Sequence, residues 1–500
     1  MFLGELGCVL NIIDVSSIQR GGSGGKCKVP VVLHARWDRK AEFFLSLCLC
    51  LSHCRLFIYT LSLLPLLLLG LAFLANMRIV LHSALAIVAL GYYASGIPTL
   101  EADLKWYNSE IAYLASLKDR VTGSANHNKL IDHIQNQLQG FGYQVCSDTL
   151  SFSYNDSPLS PPKLTIDGES VNVSSYIPYS GNTDAGGVSG KLVNLISPGP
   201  VPNWAAASDG IAVVNVTNAP LNLSRTFAQW SGSPPWPIET GQPDGNAEVE
   251  ITNLTLAAAA GVKAIVYVWE EMSTGNALGQ YVPFHFLWEG VPAVFVAGSA
   301  VNAVLEGAAN NSTATVVLNG ALIPDTTTRS IWVVVEGSTY ANESIILSTH
   351  TDGVNALEEN GHIALLAKAR HLIANPPERT TILLFVTGHM HIPAFTATGR
   401  ATTRWLADNP AYWIGGPGQM KAVAASCVEH LGAVHFDEDL TANTYRPTSE
   451  QEPEWLFAAT EELNAMLLSE WVGSIPGLTR VNNPNPTGTQ SGEGVSNSVS

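Results

Sequence analysis

His350 opens a loop that goes on to present Asp352, Glu358 and Glu359 before Asn360. The apolar stretch 344–349 in front of it reads as a short buried strand, and 363–373 behind it carries apolar residues at helical spacing. A strand end that delivers an imidazole, a carboxylate two residues later and a further pair of carboxylates has the donors for a divalent cation. Zinc takes imidazole nitrogen and carboxylate oxygen, and a zinc site that does chemistry keeps one position open for water.

Two more clusters follow the same rule. The strand pattern 380–386 runs into His389, with His391 close by, and the pattern 423–427 runs into Glu429 and His430. With the strand candidates 330–335 and 345–347 and the helix candidates 363–373, 402–407 and 454–468, these segments alternate. That alternation predicts an α/β unit with a mainly parallel (mixed) sheet and flanking helices. In such sheets the working residues gather at the carboxyl ends of the strands. A lone His at a strand end is ordinarily structural. Three chemistry-bearing clusters, each directly after a strand of one unit, are better explained by a shared site.

Upstream, 100–117 and 126–140 carry apolar residues at helical spacing, among them Leu130, Ile131, Ile134 and Leu138. Residues 122–124 suggest a turn and an N-cap, and 141–145 reads as a strand. From about 161 to 328 the chain is a series of short β patterns (190–195, 210–216, 263–268, 292–296, 313–318) separated by Gly, Pro and Asn, with a helix-prone run at 253–261. This reads as a β-rich module of its own, with an exposed Pro/Gly-rich loop at 231–245.

The 500 residues exceed a single core, so two or more folded units are expected. Hydrophobic content of 46% against 13% charged residues describes a globular chain. Its formal net charge of -17 offers nothing that attracts phosphate and excludes nucleic acid as a partner.

The first hundred residues differ from the rest. They hold Cys8, Cys27, Cys48, Cys50 and Cys54, a Gly-rich patch at 21–25 and no periodic pattern over 1–55. Residues 56–75 are apolar over a length that could span a bilayer. Met77 and Arg78 then open an apolar run ending in Ala94, Ser95 and Gly96, the anatomy of a secretory signal peptide at 77–96. Two readings stand: residues 1–76 are a non-native extension ahead of a natural start at Met77, or 56–75 is a signal anchor. The first makes the protein secreted, the second a type II membrane protein, and only the second gives it a membrane partner. Asn155, Asn172, Asn215, Asn222, Asn253, Asn310, Asn311 and Asn342 each head an Asn-X-Ser/Thr sequon, as expected of a glycosylated surface. Cys146 and Cys427 are the remaining cysteines and allow one internal disulfide in an oxidising compartment.

The order of a helical opening with Arg120-Val-Thr-Gly-Ser124, a β-rich insert, and then His350-Thr-Asp352-Gly at a strand end with Glu359-Asn360 following resembles the secreted di-zinc exopeptidases of clan MH. These include leucine-type aminopeptidases, and some carry a protease-associated (PA) domain inserted between the two parts of the catalytic domain. The resemblance covers about 100–494. It implies a zinc-exopeptidase-like domain in two parts, 100–154 and 329–500, around a PA insert at 155–328.

By that resemblance His350 binds one metal and Asp352 orients it, while Glu359 takes the bridging place of a shorter Asp. Gly388 and His389 stand where the family has two glutamates, a general base and a ligand. The base position therefore carries no side chain, and His389 would ligate in place of Glu. Glu429 matches a later acidic ligand. The family's final His has no counterpart before residue 500, so the C-terminus reads as truncated. The resemblance gives one zinc the ligands His350, Glu359 and Glu429, and a second only His389 and Glu359. Glu358 is the substitute candidate for the base, with Glu493 behind it. The implied function is a secreted zinc-dependent exopeptidase, aminopeptidase-like, hydrolysing the N-termini of peptide or protein substrates by metal-activated water. The alternative is a catalytically inactive homologue acting as a peptide, glycan or protein binding module.

Overall fold

A computed structural model describes residues 9–12, 100–156, 158–177, 180–195, 202–216, 229–233, 254–278, 290–353, 355–356, 360–389, 401–432, 434–451, 454–472 and 479–483. The chain divides into two compact units, 1–25 with 110–500 and 26–109. The second contributes to the described residues only the start of helix α1 (Leu100–Leu117). The candidate signal peptide 77–96 and the apolar run 56–75 lie outside the described residues. Among those described, no helix is long and apolar enough to cross a membrane.

The site rests on a nine-stranded mixed sheet made of β1 (Val9–Ile12), β2 (Cys146–Asp156), β11 (Ala321–Val335), β12 (Tyr340–His350), β13 (Arg379–Val386), β14 (Ile414–Gly416), β15 (Gln419–Glu429), β18 (Glu454–Ala458) and β19 (Thr479–Asn482). Its order is β19-β18-β1-β15-β12-β13-β11-β2, with β14 paired to β15. Strand β12 lies between β13 and β15 and is parallel to both, while β11 runs antiparallel to β13 and β2. In β13 every residue after Arg379 is buried, which is why its Thr-Thr-Ile-Leu-Leu-Phe-Val sequence shows no alternation: a parallel strand covered on both faces has no solvent side. Helix α6 (Gly361–Ala374) follows β12 and buries Ile363, Leu365, Leu366, Ala369 and Leu372. Helix α2 (Ala125–Gly140) opens on Ser124, whose side chain accepts from His127 N–H, as the turn at 122–124 suggested.

Two local expectations give way. Residues 141–145 form no strand, because Gly142, at φ +92°, turns the chain back after α2 and Tyr143 N–H donates to Leu138 C=O. Pairing with β11 begins only at Cys146. Residues 454–468 are not one helix: β18 places Leu456, Phe457 and Ala458 in the sheet core, and Thr460 then caps a separate helix α7 (Glu461–Leu467). Cys146 and Cys427 lie on β2 and β15, with β11, β13 and β12 between them. Strands spaced about 4.8 Å apart put them far beyond the roughly 7 Å Cα separation a disulfide tolerates, so the two are not joined.

Residues 163–317 build a second, eight-stranded sheet: β3 (Lys163–Ile166), β4 (Glu169–Val171), β5 (Ser175–Tyr176), β6 (Val188–Asn194), β7 (Ile211–Val216), β8 (Ala264–Trp269), β9 (Ala293–Ala297) and β10 (Thr313–Val317), in the order β4-β3-β10-β6-β7-β8-β9-β5. Its centre, β6 to β9, is parallel. Alternate residues feed two cores: Ala212, Val214, Ile265 and Tyr267 pack with helix α3 (Leu254–Ala259), and Val213, Val266, Val268 and Val294 pack with helix α5 (Ala300–Ala309). The module is thus an α/β sandwich, which the short β patterns alone did not reveal. It joins the first sheet through β2 and β11, where Asp156 pairs with Ala321. A hairpin, β16 (Val434–Asp439) and β17 (Thr444–Gln451), reaches back to it. Glu438 accepts a hydrogen bond from Ser273 N–H at 2.7 Å, and Asn443 Oδ1 accepts one from Thr274 N–H at 2.8 Å, at the start of helix α4 (Thr274–Ala277).

Candidate metal centre

His350 and Glu429 are the last residues of β12 and β15. Ser348 is paired with Cys427 in that ladder, so two residues further on His350 and Glu429 stand side by side at one sheet edge. His389 lies three residues beyond the end of β13, whose Val386 is paired with His350. Three adjacent parallel strands thus bring their carboxyl ends, and one donor each, to the same place.

One nitrogen of each imidazole and a carboxylate oxygen of Glu429 all lie within 4.8 Å of one another. His350 Nε2 is 2.8 Å from Glu429 Oε2, and the two imidazole rings are 4.2 Å apart between centroids at 39°. The other ring nitrogen of His350, Nδ1, is 2.6 Å from the carbonyl oxygen of Asp352. A carbonyl only accepts, so Nδ1 carries a proton and Nε2 is the ring nitrogen that faces Glu429. Two electron-rich atoms 2.8 Å apart need a positive charge on or between them. A cation fits this donor set: bonds of about 2.0–2.2 Å in a tetrahedral site put neighbouring ligand atoms roughly 3.4 Å apart. His350 is buried, whereas His389 and Glu429 are half-buried, leaving one side of the group toward solvent.

A buried polar frame fixes the loop that carries His350. Asp352 is fully buried; its Oδ2 accepts from the Thr122 hydroxyl and its Oδ1 from Gly388 N–H at 3.3 Å. Its carboxylate therefore braces the loop, and it is the Asp352 backbone carbonyl that orients His350, a different division of labour from the one the resemblance implied. Arg120 and Gly353 exchange backbone hydrogen bonds of 2.8 and 3.0 Å, and the buried Arg120 guanidinium donates to the carbonyls of Leu114, Lys118 and Asn355. His127, also fully buried, accepts from Gly123 N–H at Nδ1 (3.0 Å) and contacts Thr351 Oγ1 through Nε2 (2.8 Å). Burial pushes its pKa down to about 4, so it is a neutral strut. Asn360 ties the two loops together: its Oδ1 accepts from Leu431 N–H at 2.7 Å and its Nδ2 donates to Leu431 C=O at 3.0 Å. Gly361 follows because a Cβ there would lie 1.8 Å from Val428 C=O.

The structure therefore brings together His350, His389 and Glu429, and sets Asp352 behind them. Glu358, Glu359, His391 and Glu493 lie outside the described residues. Gly388 has φ +108°, a conformation that disfavours any residue with a side chain. The turn at 122–124 and Asn360 stand out in the sequence, but nothing in it gave Thr122, His127 or Asn360 a supporting role. Of the sequon residues, Asn172, Asn310, Asn311 and Asn342 are exposed, and Asn215 is half-buried in β7. Asn155 must be removed from the candidate glycan sites: it is 4% exposed within β2 and accepts from Asn182 Nδ2 at 2.7 Å, leaving no room for a glycan. Asn222 and Asn253 lie outside the described residues.

No protein-family profile matches the chain, and no curated protein is similar to it in sequence. Among solved structures, a peptidase M28 precursor from Shewanella amazonensis SB2B aligns over 79% of this chain and 85% of its own, with a TM-score of 0.50 and 16% identity. BSAP, a zinc aminopeptidase from Bacillus subtilis, aligns over 57% of this chain and 61% of its own, with a TM-score of 0.40 and 16% identity. An aminopeptidase from Aneurinibacillus sp. strain AM-1 aligns over 57% and 63%, with a TM-score of 0.38 and 19% identity. The match thus spans less than two thirds of those two aminopeptidases. On that alignment, the fold of this chain is similar to that of the peptidase M28 precursor.

Proposed function

We propose that the protein is a zinc-dependent exopeptidase of aminopeptidase type that acts on peptide N-termini. The observation that carries the reading is the convergence of His350, His389 and Glu429 at one sheet edge, with the His350 proton committed to the Asp352 carbonyl. When bound, zinc would polarise a scissile carbonyl and lower the pKa of water. The chain's part is to hold the donors, through the Asp352 and Asn360 clamps, and to move the proton that water gives up to the leaving amine. Glu358 is the residue we assign to that transfer, which typically contributes about 10²–10⁴-fold. We further propose that 155–328 is a protease-associated domain shaping access to the site. The protein is secreted through a signal peptide at 77–96 and glycosylated at its exposed sequons.

Zinc content by mass spectrometry on protein purified without added metal, with release of N-terminal amino acids from a peptide panel, tests this. Less than about half an equivalent of zinc together with no release overturns it. One observation favours a second reading, a non-catalytic binding module: Gly388 offers no side chain beside His389, where the resembled family has its base. Bound zinc with no release would select that reading. N-terminal sequencing of secreted protein should begin near residues 95–100, and recovery only from membranes would replace the signal peptide with an anchor.

A further inference from the structure

We infer that residues 229–233 of the insert are a latch holding it closed over the metal edge, with Trp230 as the bolt. The site then admits short or extended peptide N-termini and refuses folded ones, a substrate class that rests on the proposed peptidase reading. The insert starts from the metal edge. Strand β11 pairs with β13 only from Ile331 onward, opposite Phe385, while its residues 321–330 run on beside β2 past the carboxyl end of β13. The stem of the insert therefore rises from the side of the sheet that carries His350 and His389. A second anchor is the β16–β17 hairpin, which follows Glu429 and meets the insert at Ser273 and Thr274. The third lies at the other end of the sheet: β2 and β19 are its two outer strands, and residues 229–233, between β7 and α3 in the chain, dock on β19. Trp230 N–H donates to Val481 C=O at 3.1 Å, its indole Nε1–H to Ala458 C=O at 2.7 Å, and Val481 N–H donates to Ser233 Oγ at 2.8 Å. The Trp230 side chain packs on Leu456, Ala458, Leu463, Leu467 and Val481, from β18, α7 and β19. Val481 is level with Leu456, and Leu456 through β1 with Val428, the residue before Glu429, so the dock sits at the height of the metal donors. Stem, hairpin and dock carry the insert across those donors from one outer strand to the other. The anchors differ in strength. The stem is a long antiparallel ladder, whereas at the dock Ser231 and Gly232 are exposed and Gln229, Trp230 and Ser233 only half-buried. Local opening is cheapest where little apolar surface is buried and hydrogen bonds lie near solvent, so the dock releases before the stem. A closure of this kind gates what reaches a site.

The test combines hydrogen exchange and peptide release on the full chain. In the unaltered protein, 229–233 and 479–482 should open together and ahead of β12 and β13; exchange of these segments only on global unfolding overturns the latch. Trp230→Ala should speed exchange in both segments about tenfold while β12 and β13 stay protected, and Trp230→Phe, which keeps a ring, should fall between. The same Trp230→Ala chain should raise N-terminal release from a small folded protein about tenfold relative to release from a tripeptide. An unchanged ratio alongside faster exchange would make Trp230 a merely structural contact and overturns the latch. Gln229→Cys with Asn482→Cys, at positions that face each other across a backbone bridge, does not depend on Trp230→Ala folding. There the ratio should fall on oxidation and recover on reduction, and no change overturns the latch. No release from any substrate by the unaltered chain overturns the peptidase reading, and the exchange pattern then decides the latch by itself.

Discussion

Asp352 shows how much of the centre is carried by a residue that does not touch a ligand position with its side chain. Its carbonyl sets the His350 tautomer, and its buried carboxylate satisfies Thr122 and Gly388. Asp352→Ala leaves a buried hydroxyl and a buried N–H unpaired. The expected loss is about 2–4 kcal/mol of stability in urea unfolding, with metal affinity about 10–100-fold weaker by competition with a chelator. Affinity unchanged in a folded Asp352→Ala protein would show that the His350 carbonyl contact alone positions the ring. The conversion of Asp352 to Asn is milder, since one oxygen remains to accept from Thr122 or Gly388.

At the scale of elements, helices α2 and α6 each bury a neutral histidine. Burial holds His127 at about 4 and His362 at about 3, both below the value of about 6.5 that an unfolded chain would show. The unfolded chain therefore binds more protons between those limits. Stability is fully present above pH 6.5 and is lost as pH falls toward 4 and then 3. At pH 4.5 His127 alone should remove roughly 2–3 kcal/mol relative to neutral pH. Urea unfolding of His127→Gln across this range should show a shallower slope than the unaltered chain; an identical slope would mean that His127 titrates normally.

The sheet that carries these helices was largely legible, because β12, α6, β13 and β15 each announce themselves by a buried run or a helical period. So were His350, His389 and Glu429, which sit at strand ends. The supports were not legible. His127 meets Thr351 across 224 positions of chain, and no local pattern encodes a contact of that span. The 454–468 stretch misled for a related reason: Trp455, Leu456 and Phe457 suit a buried strand as well as a helix, and only pairing with β1 and β19 decides. The insert's short strands hid their parallel pairing, which is set by crossover helices rather than by strand sequence.

Across the whole molecule, the segment after Glu429 runs into the β16–β17 hairpin, which grips the insert through Glu438 and Asn443. Losing both grips, in Glu438→Ala with Asn443→Ala, should cost about 1–3 kcal/mol and expose the hairpin to limited proteolysis. Cleavage no faster than in the unaltered chain would mean that the grip is dispensable.

The junction between the two modules works differently. The insert leaves β2 at Asp156 and returns on β11 at Ala321, and these two residues face each other across an antiparallel ladder. Opposed positions in such a ladder are only about 5 Å apart. A guest that folds with its ends at that spacing asks of its host no more than a hairpin turn does, because the closure entropy of the long excursion is met inside the guest's own fold. The host sheet is thereby insulated from the guest's length. Growth, trimming or exchange of the guest domain can proceed over evolutionary time without shifting the register that brings His350 and Glu429 together.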